Sequence, residues 1–528
     1  MKKSMIIVGG GIAGLSAGCY AQMNGFNTCI FEMHSIPGGL CTAWERKGYK
    51  FDISMHMLSG SDSGPFNQMW RELGVIDNFD FHYHEKISQV EGKGKKLLYS
   101  INKKEMEEAM LALSPQDEDL IREFTDLIFS PTGLANAFSL KPAKLRNLRD
   151  TFRTMGAVIR QLKVFRKYGK ISLQEFAARF KDPFLRKAIQ CFVDSPGWPM
   201  PQFPMVVLSG FMDFGVKNAG VPLGGSQQVV FQIADLYKRV GGNIHLKSRV
   251  TNLIIENKKV KGIELSDGSR HMADHVIWAG DGHTLIYDIL EGKNVDKKIN
   301  TRYESWKPVK SVLHVMLGVN MDMSDEPHTV IFQADKPVTV AGREYKWLHM
   351  LHHCFDKSMA PEGKSAVEVW YESDYEYWEE LSKDKKAYKE EKKRIAEATI
   401  QELDKRWPGL ASQVEVIDVP TPHTYKRYTG NWKGSPDGWY LTTDNMRDQE
   451  PLRSVPGLEG LRMIGQWTAP YTGVVMAALT GRQAIQLMCK EEGRKFVSSP
   501  AQSFTVHSGI PLTRNYIHRS KVSHCTNF

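Results

Sequence analysis

Three glycines open the chemistry of this chain. Gly9-Gly10-Gly11-Ile12-Ala13-Gly14 follows directly on the short apolar run Ser4 to Val8, so Gly9, Gly11 and Gly14 stand in a Gly-x-Gly-x-x-Gly spacing. The first two let the backbone turn and approach a pyrophosphate, the start of the following helix offers unpaired N–H groups to its charge, and Gly14 lets helix and strand pack closely. Glu32 ends the next apolar run, Thr28-Cys29-Ile30-Phe31, where a carboxylate can accept hydrogen bonds from a ribose. A second candidate is His56, in the otherwise apolar Met55-His56-Met57-Leu58; its imidazole could relay a proton near neutral pH, or serve as a hydrogen-bonded structural residue. Asp52 reads as a loop anchor, and Gln466 and Tyr471 as groups that position cofactor or substrate. No Ser-His-Asp set, paired-carboxylate site or metal cluster stands out. The seven cysteines include no Cys-x-x-Cys pair, and His352-His353-Cys354 ends a strand-like run, Trp347 to Leu351, whose neighbours point to opposite faces.

These residues need elements to hold them. The glycine loop reads as strand, turn and helix (Leu15 to Met23, stopped by Asn24-Gly25), then a second strand ending at Glu32. Residues 76–220 read as mostly helical and basic. A β/α pattern returns after Gly224-Gly225: a helix from Ser226 to Arg239, strands at Ile244 to Leu246 and Arg249 to Ile255, and a hairpin-like set from Val260 to Ala279 turned by Asp267-Gly268. Residues 300–450 alternate strands with one charged helix, Lys385 to Arg406, and Leu461 to Met488 is a strand running into a helix. The tail from Ser498 is polar, without periodicity. The expected fold class is α/β: a Rossmann-like dinucleotide-binding domain assembled from discontinuous segments (1–75, 221–300 and 455–490), with an α+β substrate domain from a helical, membrane-facing region (76–220) and a sheet with helices (301–454), then the tail (491–528).

Composition sets limits on function. A chain of 528 residues with 41% hydrophobic content buries a large core, in two or three interleaved domains. Scattered cysteines, odd in number, fit reduced thiols and a cytoplasmic protein, and no uninterrupted apolar run reaches the roughly 18 residues of a spanning helix. The net charge of +9 is local: residues 141–170 carry ten basic side chains against one acid, Asp150. Nothing resembles a nucleic-acid fold, so an anionic membrane surface, with the protein peripheral on its inner face, is the expected partner of this patch. Leu145, Leu148, Phe152, Met155, Ile159 and Leu162 recur there at spacings of three and four, with Lys144, Arg149, Arg153, Arg160 and Lys163 around or opposite them. Such a helix either packs its apolar stripe on the protein or lays it on a bilayer. The stretch from Phe192 to Phe214, with Trp198, Pro199, Met200, Pro201, Phe203, Pro204, Met205, Val206, Val207, Leu208 and Phe211, suits an elongated apolar ligand or an ordinary core.

Three further segments carry a family resemblance. Ile36-Pro37-Gly38-Gly39-Leu40-Cys41-Thr42, with Gly48-Tyr49-Lys50-Phe51-Asp52, resembles the glycine-pair loop of flavin enzymes of the amine oxidase and phytoene desaturase superfamily. Arg249-Val250 with Val276 to Asp281 is similar to the family's adenine-side strand, and Met463-Ile464-Gly465-Gln466-Trp467-Thr468, then Tyr471 to Ala478 and Gly481-Arg482, to its C-terminal flavin motif. The resemblance implies FAD, held by Gly9, Gly11, Ile12, Ala13, Gly14, Glu32, Gly38, Gly39, Leu40, Val250, Asp281, Gly465, Gln466, Thr472, Gly473 and Val474. A helix starting near Thr472-Gly473 would aim its positive end at the flavin pyrimidine, and Ala477, Ala478 and Gly481 would let it approach the first helix. Within the superfamily the pattern is most similar to phytoene desaturases, carotenoid isomerases and retinol saturases. Leu40, where many amine oxidases have arginine, counts against amine oxidation, and Ser54 stands where saturases often have glycine. The implied function is desaturation or saturation of a carbon–carbon bond in an apolar polyene, isoprenoid or other lipid. A redox-neutral polyene cis-trans isomerase, a flavin amine oxidase and a non-catalytic lipid-binding flavoprotein stand as alternatives. With a single dinucleotide fingerprint, the electron partner would be a diffusible NAD(P)H, oxygen or quinone.

Overall fold

The structure, a computed structural model, describes residues 2–130, 139–195, 199–200, 202–448, 450–470 and 473–499, with the side chains of residues 153, 154, 157, 158, 160 and 214 left out of the description. The strands that position the site are, in chain order, β1 (Ser4–Val8), β2 (Asn27–Phe31), β3 (Lys86–Gly92), β4 (Lys95–Ser100), β5 (Asn243–His245) and β6 (His275–Trp278). They continue with β7 (Val312–Val319), β8 (Thr329–Val340), β9 (Arg343–His352), β10 (Ser365–Glu372), β11 (Val414–Asp418) and β12 (Leu461–Met463). The helices that matter are α1 (Ile12–Met23), α2 (Leu148–Tyr168), α3 (Ser226–Arg239), α4 (Lys385–Arg406) and α5 (Val474–Glu491).

The first sheet has the order β5-β2-β1-β6-β12, all parallel. Its strands come from three distant stretches of chain, so the Rossmann-like layer is discontinuous. Ile6, Ile7, Val276 and Ile277 are buried because both faces are covered, as a parallel sheet requires. One face meets α1, α3 and α5. A Cβ on Gly481 of α5 would lie 2.6 Å from the Ala13 carbonyl oxygen of α1, and one on Gly18 2.8 Å from the Tyr237 ring of α3, so glycine lets both helices pack closely on α1. On the other face lies an antiparallel ribbon of Val250–Glu256, Lys259–Leu265 and Arg270–Met272.

The second sheet has the order β11-β7-β10-β9-β8-β3-β4, antiparallel except where β8 meets β3. Two of its strands come from the stretch expected to be mostly helical. Lys86–Gly92 and Lys95–Ser100 fold back at Lys93-Gly94, both with positive φ (51° and 74°), and this hairpin extends the sheet. Residues alternate across the sheet: Leu313, Val315, Val367, Val369 and Leu348 face α4 through Ile395, Ala396 and Leu403, while His314, Glu368, Trp370 and His349 face the other way. That second face is the floor of the site.

Helix α2 presents its surface in an unusual sense. Leu148 (78% exposed), Phe152 (64%), Ile159 (57%), Met155, Leu162 and Phe165 point outward, whereas Gln161 and Tyr168 are buried. Gln161 accepts a bond from the Ser209 hydroxyl at 3.4 Å, and Tyr168 donates to Glu123 at 2.9 Å. The apolar stripe therefore does not pack on the protein. Arg149 and Lys163 are exposed beside it; Arg153 and Arg160 are among the side chains not described. Among the described residues no helix is long and apolar enough to cross a membrane, and the described cysteines form no disulfide.

Candidate active site

A cavity of about 1150 Å³ runs from the glycine loop after β1 to the floor of the second sheet. Its nucleotide end is lined by Gly9, Gly11, Ile12, Ala13, Glu32, Gly38, Gly39, Leu40, Val250, Asp281, Gly465, Gln466, Gly473 and Val474. Gly14 lies behind the lining, where a Cβ would fall 2.0 Å from the Gly9 carbonyl oxygen. Thr472 and Tyr471 lie outside the described residues.

The glycines have distinct tasks. Gly9 (φ +103°) turns the loop, its N–H donating to Phe31 O at 2.8 Å. A Cβ on Gly11 would meet no protein atom nearer than 3.9 Å, so that space is not needed for packing. The glycine pair is tied back to this loop by Gly38 N–H, which donates to Gly10 O at 2.9 Å, and both members take positive φ (137° and 60°). Glu32 accepts from Gly10 N–H and His34 N–H, each at 2.7 Å, and burial raises its carboxyl above the ordinary range. It thus braces the loop as well as lining the cleft.

Polar atoms await a ligand here. Asp281 accepts from Thr284 N–H at 2.8 Å and its hydroxyl at 2.7 Å through Oδ2, yet Oδ1 is buried without a partner, as is Gln466 Nε2. Such an atom costs about 1–3 kcal/mol. Helix α5 begins beyond Gly473 (φ +86°) with no side-chain cap, leaving its first N–H groups for whatever enters. A polar, elongated group carrying phosphates fits this set.

The far end is a chamber walled by Ile87, Phe192, Met200, Phe203, Phe211, Ile331 and Leu351. Met205, Val206 and Leu208 from the same aromatic stretch are buried in the core instead, and Trp198 and Pro201 lie outside the described residues. On the floor, His314, Trp370 and His349 stand side by side on β7, β10 and β9. His314 Nδ1 lies 3.1 Å from the Tyr425 hydroxyl, and His349 Nδ1 2.7 Å from the Ser195 hydroxyl. His56 meets Trp370 at a ring separation of 4.5 Å, with Nδ1 buried and without a partner. Burial pulls the His56 imidazole down to about 3, so it is neutral at physiological pH. As a neutral imidazole it can serve as a base or as a hydrogen-bonding group.

Asp52 is the anchor expected of it: its carboxylate accepts from Ser226 N–H, Ser226 Oγ at 2.6 Å and Ser54 N–H at 3.0 Å, joining the glycine-pair segment to the start of α3. Burial pushes it up to about 6. Among the described residues no group of three or more His, Cys, Asp or Glu could hold a metal ion.

Residues 12–489 match the family described as flavin containing amine oxidoreductase. The chain belongs to this family. The prolycopene isomerase of Daucus carota chloroplasts is 24% identical over 498 residues, covering 90% of this chain and 78% of that protein. The 4,4'-diapophytoene desaturase of a Methylomonas species is 21% identical over 515 residues, covering 94% and 96%. An oxidoreductase from Methanosarcina mazei shares the fold, with a TM-score of 0.58 at 17% identity, over 92% of this chain and 100% of that one.

As a member of the flavin containing amine oxidoreductases, the chain has the fold of an FAD-binding flavoprotein. The open space at Gly11, the unpartnered atoms of Asp281 and Gln466 and the uncapped start of α5 fit that cofactor. Sequence reasoning did not single out the flavoprotein's chamber floor. His314, His349, Glu368 and Trp370 sit in three separate strands, and only the register of β7, β10 and β9 brings them together; a histidine or acid on the alternate positions of an otherwise apolar strand was the available signal.

Proposed function

We propose that the protein is an FAD-dependent oxidoreductase that desaturates or saturates a carbon–carbon bond of an apolar polyene, isoprenoid or related lipid. The reading rests on one observation: the cavity whose one end is built from the glycine loops continues into the chamber of Phe192, Met200, Phe203 and Phe211. An elongated apolar ligand in that chamber would reach the flavin without meeting water. FAD, when bound, exchanges a hydride with a substrate carbon. The aromatic walls would orient the chain and exclude water. His56, neutral and with Nδ1 unbonded, would take up or return the proton that accompanies the hydride.

The outward stripe of α2 supports a second part of this reading, reversible attachment to an anionic bilayer. Ser209, which binds Gln161 of α2, follows Met205–Leu208, a turn in the same core cluster as the chamber walls Phe203 and Phe211, so the helix is tied to the element beside the chamber. Similarity to a prolycopene isomerase favours one alternative, redox-neutral cis-trans isomerisation of a polyene on the same site. Mass spectrometry of lipids from cells with and without the gene separates the two: a change of two hydrogens means redox chemistry, and a new isomer of unchanged mass means isomerisation. An unaltered polyene and isoprenoid profile overturns both.

A further inference from the structure

The apolar chamber contains a polar patch that hydride and proton exchange leave unused. Thr329 opens β8 and shares the chamber face with Ile331, while Val330 between them packs toward α4. The parallel register of Val330 with Gln89 sets Ser88 of β3 beside Thr329. His328 precedes Thr329 in the chain, and all three residues line the cavity together with Ile87, Ile331 and Leu351.

The hydrogen-bonding capacity of this patch is defined, and nothing in the protein uses it. His328 Nδ1 is 2.5 Å from the His352 carbonyl oxygen, which can only accept, so Nδ1 carries the hydrogen. Burial, and then the imidazole of His84, pull His328 well below the usual histidine range, so the ring is neutral and its Nε2 offers a lone pair. His84 backs this ring, stacked on it at 4.4 Å with an interplanar angle of 9°. Among the described residues, neither His328 Nε2 nor the hydroxyls of Ser88 and Thr329 have a hydrogen-bond partner. The three residues are half-buried, and these atoms, unlike the enclosed Nε2 of His84, stay open to the cavity. Ser195, by contrast, is engaged by His349 Nδ1 at 2.7 Å. A purely apolar chain would cover all three atoms and pair none of them.

We propose that Ser88, His328 and Thr329 form a site for a hydroxyl group on the substrate, so that the protein acts on a lipid alcohol and not on a pure hydrocarbon. The inference rests on the apolar-lipid reading and narrows it. A hydroxyl fits the whole set: its O–H donates to His328 Nε2, and its oxygen accepts from the hydroxyl of Ser88 or Thr329. A carbonyl, carboxylate or ether oxygen can only accept, so it would leave the Nε2 lone pair unbonded. No covalent bond changes at this site. It lies three strand spacings from Trp370 and the adjoining His56, roughly 14 Å across the sheet. Anchoring the hydroxyl there would fix which carbon of the chain is brought to His56, so the position of the bond acted on would be measured from the alcohol end.

Farnesol, farnesyl methyl ether and the parent hydrocarbon without oxygen serve as probes, each titrated below its solubility limit into the FAD-loaded protein and followed by calorimetry. Wild type is expected to bind the alcohol about tenfold more tightly than the ether, the contribution of one hydrogen bond. His328→Phe keeps the stack on His84 but removes the acceptor, and should bring alcohol and ether to equal affinity. Ser88→Ala with Thr329→Val should weaken alcohol and ether alike relative to the hydrocarbon, with the preference between them kept. No preference for the alcohol in wild type overturns the inference and leaves the apolar-ligand reading standing; binding of none of the three probes sinks both. A preference that survives His328→Phe removes His328 from the site and overturns the assignment. Should His328→Phe fail to retain FAD, the double variant decides, and unchanged affinities there overturn the inference.

Discussion

At the residue scale, two neighbouring glycines separate folding from cofactor binding. Gly11 has φ −75°, open to any residue, and a Cβ there meets nothing nearer than 3.9 Å. Gly11→Val should therefore fold normally, with the melting temperature of flavin-free wild type, yet purify without flavin because the side chain fills the space beside the pyrophosphate path. Retention of full FAD absorbance would contradict the assignment. Gly14→Ala should behave oppositely and fail to fold, since its Cβ falls 2.0 Å from Gly9 O. His56 supplies a second test. His56→Ala should keep FAD and slow turnover on the order of 10² to 10⁴-fold. A folded-state value of about 3 places its titration well below the working range, so it binds no proton of its own between pH 5 and 8. The pH–rate profiles of wild type and His56→Gln should differ in height and not in shape over that interval. An inflection near 6.5 that His56→Gln abolishes would contradict the neutral-imidazole reading.

At the scale of elements, Gly481 is where α5 is fitted to α1. Gly481→Val would force the two helices apart by its contact 2.6 Å from Ala13 O, at a cost of about 1–3 kcal/mol or more. Thermal unfolding should show that loss, together with reduced FAD content, because α5 carries Gly473 and Val474 to the cleft. Helix α2 predicts the reverse pattern. Phe152→Ser with Ile159→Ser removes large apolar groups that are 64% and 57% exposed, so stability should change by no more than about 0.5 kcal/mol for each. Sedimentation with anionic liposomes should drop sharply, and Arg149→Glu with Lys163→Glu should lower it further and remove its salt dependence. Unchanged sedimentation would mean that α2 is not the membrane contact. The sequence made α1, α3, α4, β1, β2, β5 and β12 legible, because their periodicity and glycine stops are local; β6 read instead as the end of a hairpin-like set from Val260 to Ala279, whereas Lys259–Leu265 pairs with Arg270–Met272 and β6 lies parallel between β1 and β12. The sequence did not reveal that Lys86–Ser100 forms a hairpin of the second sheet, since that segment becomes a strand pair only by joining β8. For α2 the stripe was readable but its direction was not: Gln161 and Tyr168 anchor the helix through tertiary partners that no periodicity shows.

At the scale of the whole molecule, the two sheets meet at one cavity, with dinucleotide loops at one end and an aromatic chamber at the other. The cleft was legible because its residues cluster in short motifs, while the chamber floor depends on strand register. The most direct measurement is anaerobic mixing of the purified FAD-loaded protein with polyene lipids presented in anionic liposomes, following the flavin absorbance and then the lipid mass by chromatography and mass spectrometry. The expected result is a polyene product that differs by two hydrogens with matching flavin reduction or reoxidation, or an isomer of equal mass formed only when the flavin has first been reduced. Polyenes left unaltered under both flavin states, while a primary or secondary amine bleaches the flavin, would contradict the reading.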